Sequence, residues 1–206
     1  MIHRRTLLLS IGLLPGYRVG AQPSSLLAQG SQILQDATGQ PVREFSTQDF
    51  GREVYSDGRS VLVAEKQAER LLNLVRTKLP VGLVAFVGVT SSHATPKPNG
   101  VELVVAAGKD QFDILRVAAT DGVNHGLSTE DVIKELVKWN DEFGIDIWQA
   151  ETDVVQLRLK TLPKNLRAFA NRVYKFCPDI VDQGTGDVRK LEKLLAQEKA
   201  VLLWWD

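Results

Sequence analysis

Two short segments of the chain carry residue types that could perform acid–base chemistry. The first, TDGVNHG, contains Asp121 and His125, and the second, CPDIVDQGTG, contains Asp179 and Asp182. A histidine can act as a general base near neutral pH, and a carboxylate can orient it or share its proton. The candidate catalytic residues are therefore His125, Asp121, Asp179 and Asp182, on the condition that the two segments meet in space.

The same residues also have structural interpretations. A loop histidine such as His125 is commonly held by a backbone carbonyl, and loop carboxylates commonly face solvent or cap helices. The sequence contains neither the HExxH motif nor an H-x-H pair, so no metal ligand set is predicted. It also lacks the GxSxG, CxxC, GxGxxG, P-loop and EF-hand motifs, so no cofactor is predicted.

The one cysteine, Cys177, lies where a predicted helix ends before Pro178. The carboxyl end of a helix is negatively polarised and opposes formation of a thiolate, so we expect a buried, packed thiol. The glycine-rich QGTGD that follows could hold an anion at the next helix, but Thr185 or Asp187 as its N-cap also explains the pattern.

Polar and aromatic residues beside these segments are candidates for contacting a partner. In the closing LLWWD, adjacent strand residues face opposite sides, so one tryptophan should be core and the other could cover a helix or form a binding surface. Core packing of both is the favoured interpretation. The candidate binding residues are Asn124, Gln183, Thr185, Trp205 and Asp206.

The amino terminus is typical of an export signal. MIHRR is basic, TLLLSIGLLPG is a short apolar stretch, and VGA ends at Ala21 as a cleavage pattern, so residues 1–21 are predicted to be a cleaved signal peptide. Arg4 and Arg5 resemble a twin-arginine signal. We therefore expect a periplasmic protein. No later stretch is apolar for long enough to cross a membrane.

The charge balance excludes a class of partners. The chain has 25 basic and 25 acidic residues, and residues 1–21 hold three of the basic ones and no acid. The remaining 22 basic residues do not outnumber the acids, so the positive field needed for non-specific nucleic-acid binding is absent. Nothing in the sequence points to a particular oligomeric state.

Hydrophobic periodicity predicts a single α+β domain over residues 59–206, preceded by a weakly structured leader, 22–58, with a short helix near 25–35. Strand pairs separated by helices favour a mixed or antiparallel sheet with helices packed mainly on one face. The order helix–hairpin–helix occurs twice, around 65–119 and 129–176, which suggests a pseudo-repeat. Pro163 is predicted at the first position of a helix.

Four stretches together resemble a known bacterial family. They are QFDILRVAATDGVNHG, STEDVIKELVKWNDEFGIDIW, FCPDIVDQGTGDV and the terminal LLWWD. The chain is similar over about residues 60–206 to the family catalogued as domain of unknown function 4253. The resemblance implies a fold group and brings no activity with it.

Two functions are weighed on these grounds. The leading hypothesis is an exported, non-catalytic domain that binds a protein partner, such as a toxin that it neutralises. The absence of catalytic motifs favours it, by analogy with other small bacterial α+β domains. The alternative is a hydrolytic enzyme that uses His125 with Asp121, Asp179 and Asp182 in one cleft.

Overall fold

The computed structural model describes residues 23–48, 52–88 and 100–206. The predicted signal peptide, residues 1–21, lies outside the described residues. The helices are α1 (Pro23–Thr38), α2 (Glu65–Lys78), α3 (Asp113–Ala118), α4 (Thr129–Phe143), α5 (Leu166–Phe176) and α6 (Val188–Glu198). The strands are β1 (Arg43–Gln48), β2 (Arg52–Val63), β3 (Leu83–Val87), β4 (Val101–Ala107), β5 (Ile145–Ala150), β6 (Val154–Leu159) and β7 (Ala200–Trp204). A 3-10 turn covers Val123–His125, and a π-helical turn covers Ile180–Thr185.

Within the described ranges the strands form one mixed sheet in the order β1-β2-β4-β3-β5-β6-β7. The predicted pairings of β3 with β4 and of β5 with β6 are both antiparallel. The two pairs join where β3 runs parallel to β5. This sheet, with helices between its strand pairs, confirms the predicted α+β class.

Both faces of the central strands are buried. Along β3, Val84 and Phe86 enter a core beneath α3, α4, α5 and α6, whereas Leu83, Ala85 and Val87 enter a second core beneath α1 and α2. This explains why β3 and β4 are apolar without alternation, since a strand covered on both sides has no solvent face. Four of the described helices thus cover one face and two cover the other.

The two helix–hairpin–helix units are present in the element order but differ in layering. In the first unit, α2 lies over one face of the sheet and α3 over the other. In the second unit, α4 and α5 both contribute to the larger core. The units therefore share an order of elements and not an arrangement.

The described part of segment 22–58 contains the short helix predicted near 25–35, but it has more regular structure than the predicted weakly structured leader. It holds α1, β1 and the first part of β2, and Leu34 of α1 is fully buried against the sheet. The sequence signal is weak because β1 buries one large apolar side chain, Phe45, and is otherwise polar. Backbone pairing with β2 makes it a strand, and hydropathy does not report such pairing.

The start of α5 also differs from the prediction. Pro163 lies outside the helix, which begins at Leu166. The Oδ1 atom of Asn165 accepts a hydrogen bond from the Ala168 N–H at 2.9 Å, so Asn165 is the N-cap. A side-chain cap that satisfies a free N–H defines the start here, in preference to the φ angle that proline supplies.

Of the helices in the described ranges, none has the combination of length and apolarity that a bilayer-spanning helix requires.

Candidate active site

The two segments with acid–base residues meet at one end of the sheet. The 3-10 turn precedes α4, and the π-helical turn connects α5 with α6. Between them, Nε2 of His125 lies 2.9 Å from Oδ2 of Asp179. The spatial condition for these two candidate catalytic residues to act together is therefore met.

Hydrogen bonds within the first segment hold the histidine in place. Oδ1 of Asp121 accepts from the Val123 N–H at 3.2 Å, and the His125 N–H donates to the Gly122 carbonyl at 2.8 Å. Gly122 and Leu127 exchange both backbone hydrogen bonds, at 2.9 and 3.1 Å, which closes the loop. Asp121 thus shapes the turn that presents His125.

Hydrogen bonds to the turn between β5 and β6 also hold the loop that carries His125. The buried Thr120 hydroxyl donates to the Glu151 carbonyl at 2.6 Å, and the Asp121 N–H donates to the Thr152 carbonyl at 2.8 Å. Thr120 was not among the residues selected from sequence. Hydrophobic periodicity does not single out a threonine directly before the acidic residue. Its role depends on a hydrogen-bond partner that is distant along the chain.

Asp179 is the buried member of the pair, with 7% of its surface exposed. Besides contacting His125, its carboxylate accepts from the Asp206 N–H at 3.0 Å and from Nε2 of Gln183 at 3.2 Å. Burial by itself raises the pKa of Asp179, but the hydrogen bonds from Asp206, His125 and Gln183 together lower the pKa below its ordinary value. The carboxylate is therefore ionised at neutral pH.

An ionised carboxylate can only accept hydrogen bonds, so Nε2 of His125 must carry the proton in this contact. In the neutral ring that places the lone pair on Nδ1. None of the described residues forms a hydrogen bond with Nδ1, and 27% of the side chain is exposed. The imidazole is therefore partly open to water or to a ligand.

The second segment is helical, where the sequence suggested a loop. Pro178 has no N–H and follows the last turn of α5, and its carbonyl then accepts from the N–H groups of Val181 and Asp182 at 2.9 and 3.0 Å. The π-helical turn that follows brings Gln183 onto the same side as Asp179. The side-chain amide that holds the Asp179 carboxylate is thus supplied by the same turn of the chain.

The other predicted acidic residue, Asp182, is directed elsewhere. Its exposed carboxylate accepts from the Tyr174 hydroxyl at 2.9 Å, and no hydrogen bond joins it to His125 among the described contacts. Thr185 donates from Oγ1 to the Asp187 carbonyl at 3.2 Å. Of the two N-cap alternatives, Asp187 caps α6 by accepting from the Arg189 N–H.

The remaining predicted binding residues have different positions around the pair. Asn124 is exposed directly before His125. Asp206 is exposed and acts through its backbone N–H on Asp179. Trp205, in contrast, is 2% exposed, and its indole N–H donates to the Phe176 carbonyl at 3.2 Å. Its ring is therefore core and offers no surface to a partner, because it packs into the larger hydrophobic cluster directly after the end of β7.

Cys177 lies beneath the site and is fully buried, as its sequence context predicts. Its thiol donates to the Trp204 carbonyl at 2.9 Å. Burial raises the pKa of Cys177 to about 11. A thiol that remains protonated and covered is not a nucleophile for this site.

No group of three or more histidine, cysteine, aspartate or glutamate side chains placed to hold a metal ion occurs in the described part of the chain. The site is a hydrogen-bonded imidazole–carboxylate pair. A pair of this kind can transfer a proton to or from a bound molecule.

Comparison with known proteins supports the resemblance found in the sequence. A family model described as a domain of unknown function (DUF4253) matches residues 102–206, just over half of the chain and including both segments of the site. Neither the curated proteins nor the solved structures yielded a match.

Proposed function

The chain belongs to the DUF4253 family, a domain of unknown function, and we propose that this member is a hydrolytic enzyme in which His125 is the general base. The observation that carries the proposal is the 2.9 Å contact between Nε2 of His125 and Oδ2 of the buried Asp179. A histidine base whose Nδ1 is open and whose Nε2 is held by a fixed carboxylate is suited to activating water.

The proposed reaction needs only these groups and water. Nδ1 of His125 removes a proton from a water molecule as the water oxygen forms a bond to the substrate's carbonyl carbon. The imidazolium that results is stabilised by Asp179, which remains ionised. The proton then passes from Nδ1 to the leaving group as its bond to the carbonyl carbon breaks, so His125 returns to its starting form.

Three residues support this chemistry without touching the transferred proton. Asp206 and Gln183 hold the Asp179 carboxylate through their N–H groups. Asp121 caps the turn that carries His125. In the proposal they are positioning residues, and Asn124 is the adjacent exposed amide that can donate to a developing oxyanion.

Hydrolysis of p-nitrophenyl acetate and p-nitrophenyl butyrate by the full chain tests the proposal. Replacing His125 with glutamine should lower the rate for the substrate that is turned over by about 100-fold or more, and Asp179→Asn should lower it with little change in KM. His93, the other histidine of residues 22–206, provides the matched control His93→Gln. Equal rates for His125→Gln and His93→Gln would contradict a catalytic role.

A second candidate, the non-catalytic domain that binds a protein partner, is favoured by one observation. Val123, two residues before His125, is 71% exposed and presents an apolar side chain beside the exposed Asn124. Covering an exposed apolar side chain with a partner removes apolar surface from water, which favours binding.

Variants of two exposed valines test this binding function separately from the enzymatic one. Val123→Asp should abolish the stoichiometric capture of a native partner, such as a toxin, whereas Val81→Asp, at a valine 97% exposed, should not. If both variants capture the same partner equally, Val123 is not its anchor.

The compartment is part of the proposal. Residues 1–21 have the basic, apolar and small-residue pattern of an export signal, so we place the mature protein in the periplasm. The site requires neither a cofactor nor a disulfide, and a chain with a single cysteine forms no internal disulfide.

A further inference from the structure

A groove on the α4–α5 side of the domain has no part in the proposed reaction. It has a volume of about 620 Å³ and lies between the carboxyl end of α4, residues 161–165 and the first half of α5. This volume is within the range of small-molecule sites, about 300–1,000 Å³. None of its lining residues belongs to the two segments that form the His125–Asp179 site.

The floor of the groove is aromatic. Phe143 and Phe169 line it, and their ring centroids lie 4.9 Å apart in an edge-to-face arrangement. Both rings belong to the hydrophobic core and are 7% and 2% exposed, so they shape the groove and offer a ligand little surface. Thr161 ties the segment above it to α4, because its N–H and hydroxyl both donate to the Phe143 carbonyl, at 3.1 and 2.8 Å.

One wall of the groove is apolar and exposed. Leu162 is 39% exposed, and Pro163 lies beside it. A large apolar side chain that lines a concave surface and remains in contact with water gains stability when an apolar ligand covers it.

The charged groups around the groove leave one uncompensated cation. Arg172 pairs with Glu142 at 2.7 Å, so these two lining residues offset one another. Lys164 forms no ion pair with any described residue. It also lies directly before α5, whose first turn holds no acidic residue to offset the partial positive charge of the helix end.

We propose that the groove binds a small organic monoanion with an aromatic or branched apolar body. The body lies against Leu162 and Pro163, above the buried rings of Phe143 and Phe169. The carboxylate or sulfonate lies beside Lys164. An inorganic anion alone would leave the apolar wall uncovered, and a cation would face the unpaired lysine.

Paired ligands that differ only in charge test this assignment. The full chain, labelled with ¹⁵N, is titrated with 2-naphthoate and with the neutral 2-naphthalenemethanol while amide shifts are followed. We expect 2-naphthoate to bind with a Kd of about 1 mM or tighter and to shift amides in residues 161–169, and the alcohol to bind about tenfold more weakly.

Three variants make the result decisive. Lys164→Glu should weaken naphthoate about tenfold and leave the alcohol unchanged, whereas Lys66→Glu, an exposed lysine of α2 on the opposite face, should change neither. Ala168→Trp, which fills the groove from an exposed helical position, should abolish both. The proposal is overturned if naphthoate does not bind, if its shifts map elsewhere, or if Lys164→Glu and Lys66→Glu behave alike.

Discussion

Gly122 packs directly against the indole of Trp205. A Cβ atom on Gly122 would lie 2.9 Å from Cγ of that ring and 3.0 Å from Cδ1, closer than side chains approach one another. The loop that carries His125 therefore rests on the residue that directly follows β7, and the next residue, Asp206, supplies its N–H to Asp179. Both halves of the site share this support.

Gly122→Ala should displace the His125 loop. The added methyl cannot fit without moving either the loop or a buried ring, so we expect a loss of about 1–3 kcal/mol in the free energy of unfolding. Urea denaturation measures the loss, and the His125 imidazole shifts report the movement. Val123→Ala in the same turn, at an exposed side chain, is the control and should change stability by less than about 0.5 kcal/mol. Equal effects of the two would refute the role of the Gly122–Trp205 contact.

Asp179→Asn should destabilise the protein at neutral pH by about 1–3 kcal/mol, because a buried acceptor of several hydrogen bonds is replaced. The difference in the free energy of unfolding between the wild type and Asp179→Asn should depend on pH. The folded-state pKa of Asp179 lies below the unfolded value of 3.8, so the contribution is fully present above that value and is lost as pH falls through the folded pKa.

Unfolding titrations between about pH 7 and pH 2 measure this difference. Asp182→Asn is the control, since its exposed carboxylate accepts from Tyr174 at the surface. If the difference in the free energy of unfolding between the wild type and Asp179→Asn stays constant down to the lowest pH, the carboxylate is not ionised and hydrogen-bonded as described.

Cys177 should resist alkylation in the folded protein. Because burial raises its pKa to about 11 and leaves the thiol inaccessible, iodoacetamide at pH 8 should react about 100-fold or more slowly than with the urea-unfolded chain. Mass spectrometry follows the reaction. Complete labelling of the native protein at the rate of the unfolded chain would show that the thiol is open.

Ser128→Ala should cost about 1 kcal/mol of stability, because Ser128 and Asp131 form a capping box at the start of α4. Oγ of Ser128 accepts from the Asp131 N–H, and Oδ2 of Asp131 accepts from the Ser128 N–H at 3.1 Å. Thermal unfolding measures the cost, with Thr129→Ala as the neighbouring control. A neutral Ser128→Ala would mean that other contacts fix the start of this helix.

The proposed export predicts the position at which the mature protein begins. The protein recovered from the periplasm should begin at Gln22, and replacing Arg4 and Arg5 with lysine should leave precursor in the cytoplasm. Intact-mass measurement of both fractions tests this. Recovery of unprocessed chain in the cytoplasm from both the native and the altered signal would contradict the predicted route.

Local patterns accounted for most elements from residue 60 onward. The Ser128 cap, the hairpin of β5 and β6, and the end of α5 before Pro178 follow from turn chemistry and periodicity, which act within a few residues. The elements that differed depend on hydrogen bonds that hydrophobic periodicity does not report. β1 is a strand through its pairing with β2, and the start of α5 is set by a cap that competes with Pro163.

For the candidate site, the sequence likewise indicated the residue types, whereas packing decided their arrangement. Residue types alone singled out His125 and Asp179, because few side chains transfer protons near neutral pH. They are 54 positions apart in the chain, so only the packing of their two turns against Trp205 and Trp204 could bring them to 2.9 Å. The same packing directed Asp182 to Tyr174 and buried Trp205.

The amino-acid sequence by itself determined the α+β class, most of the elements and the residue types available for chemistry, since these depend on hydrophobic period and on side-chain pKa. The tertiary structure decided which of those residues act together, which is a matter of distance and burial. It also formed the groove beside Lys164 from three segments that no linear pattern connects.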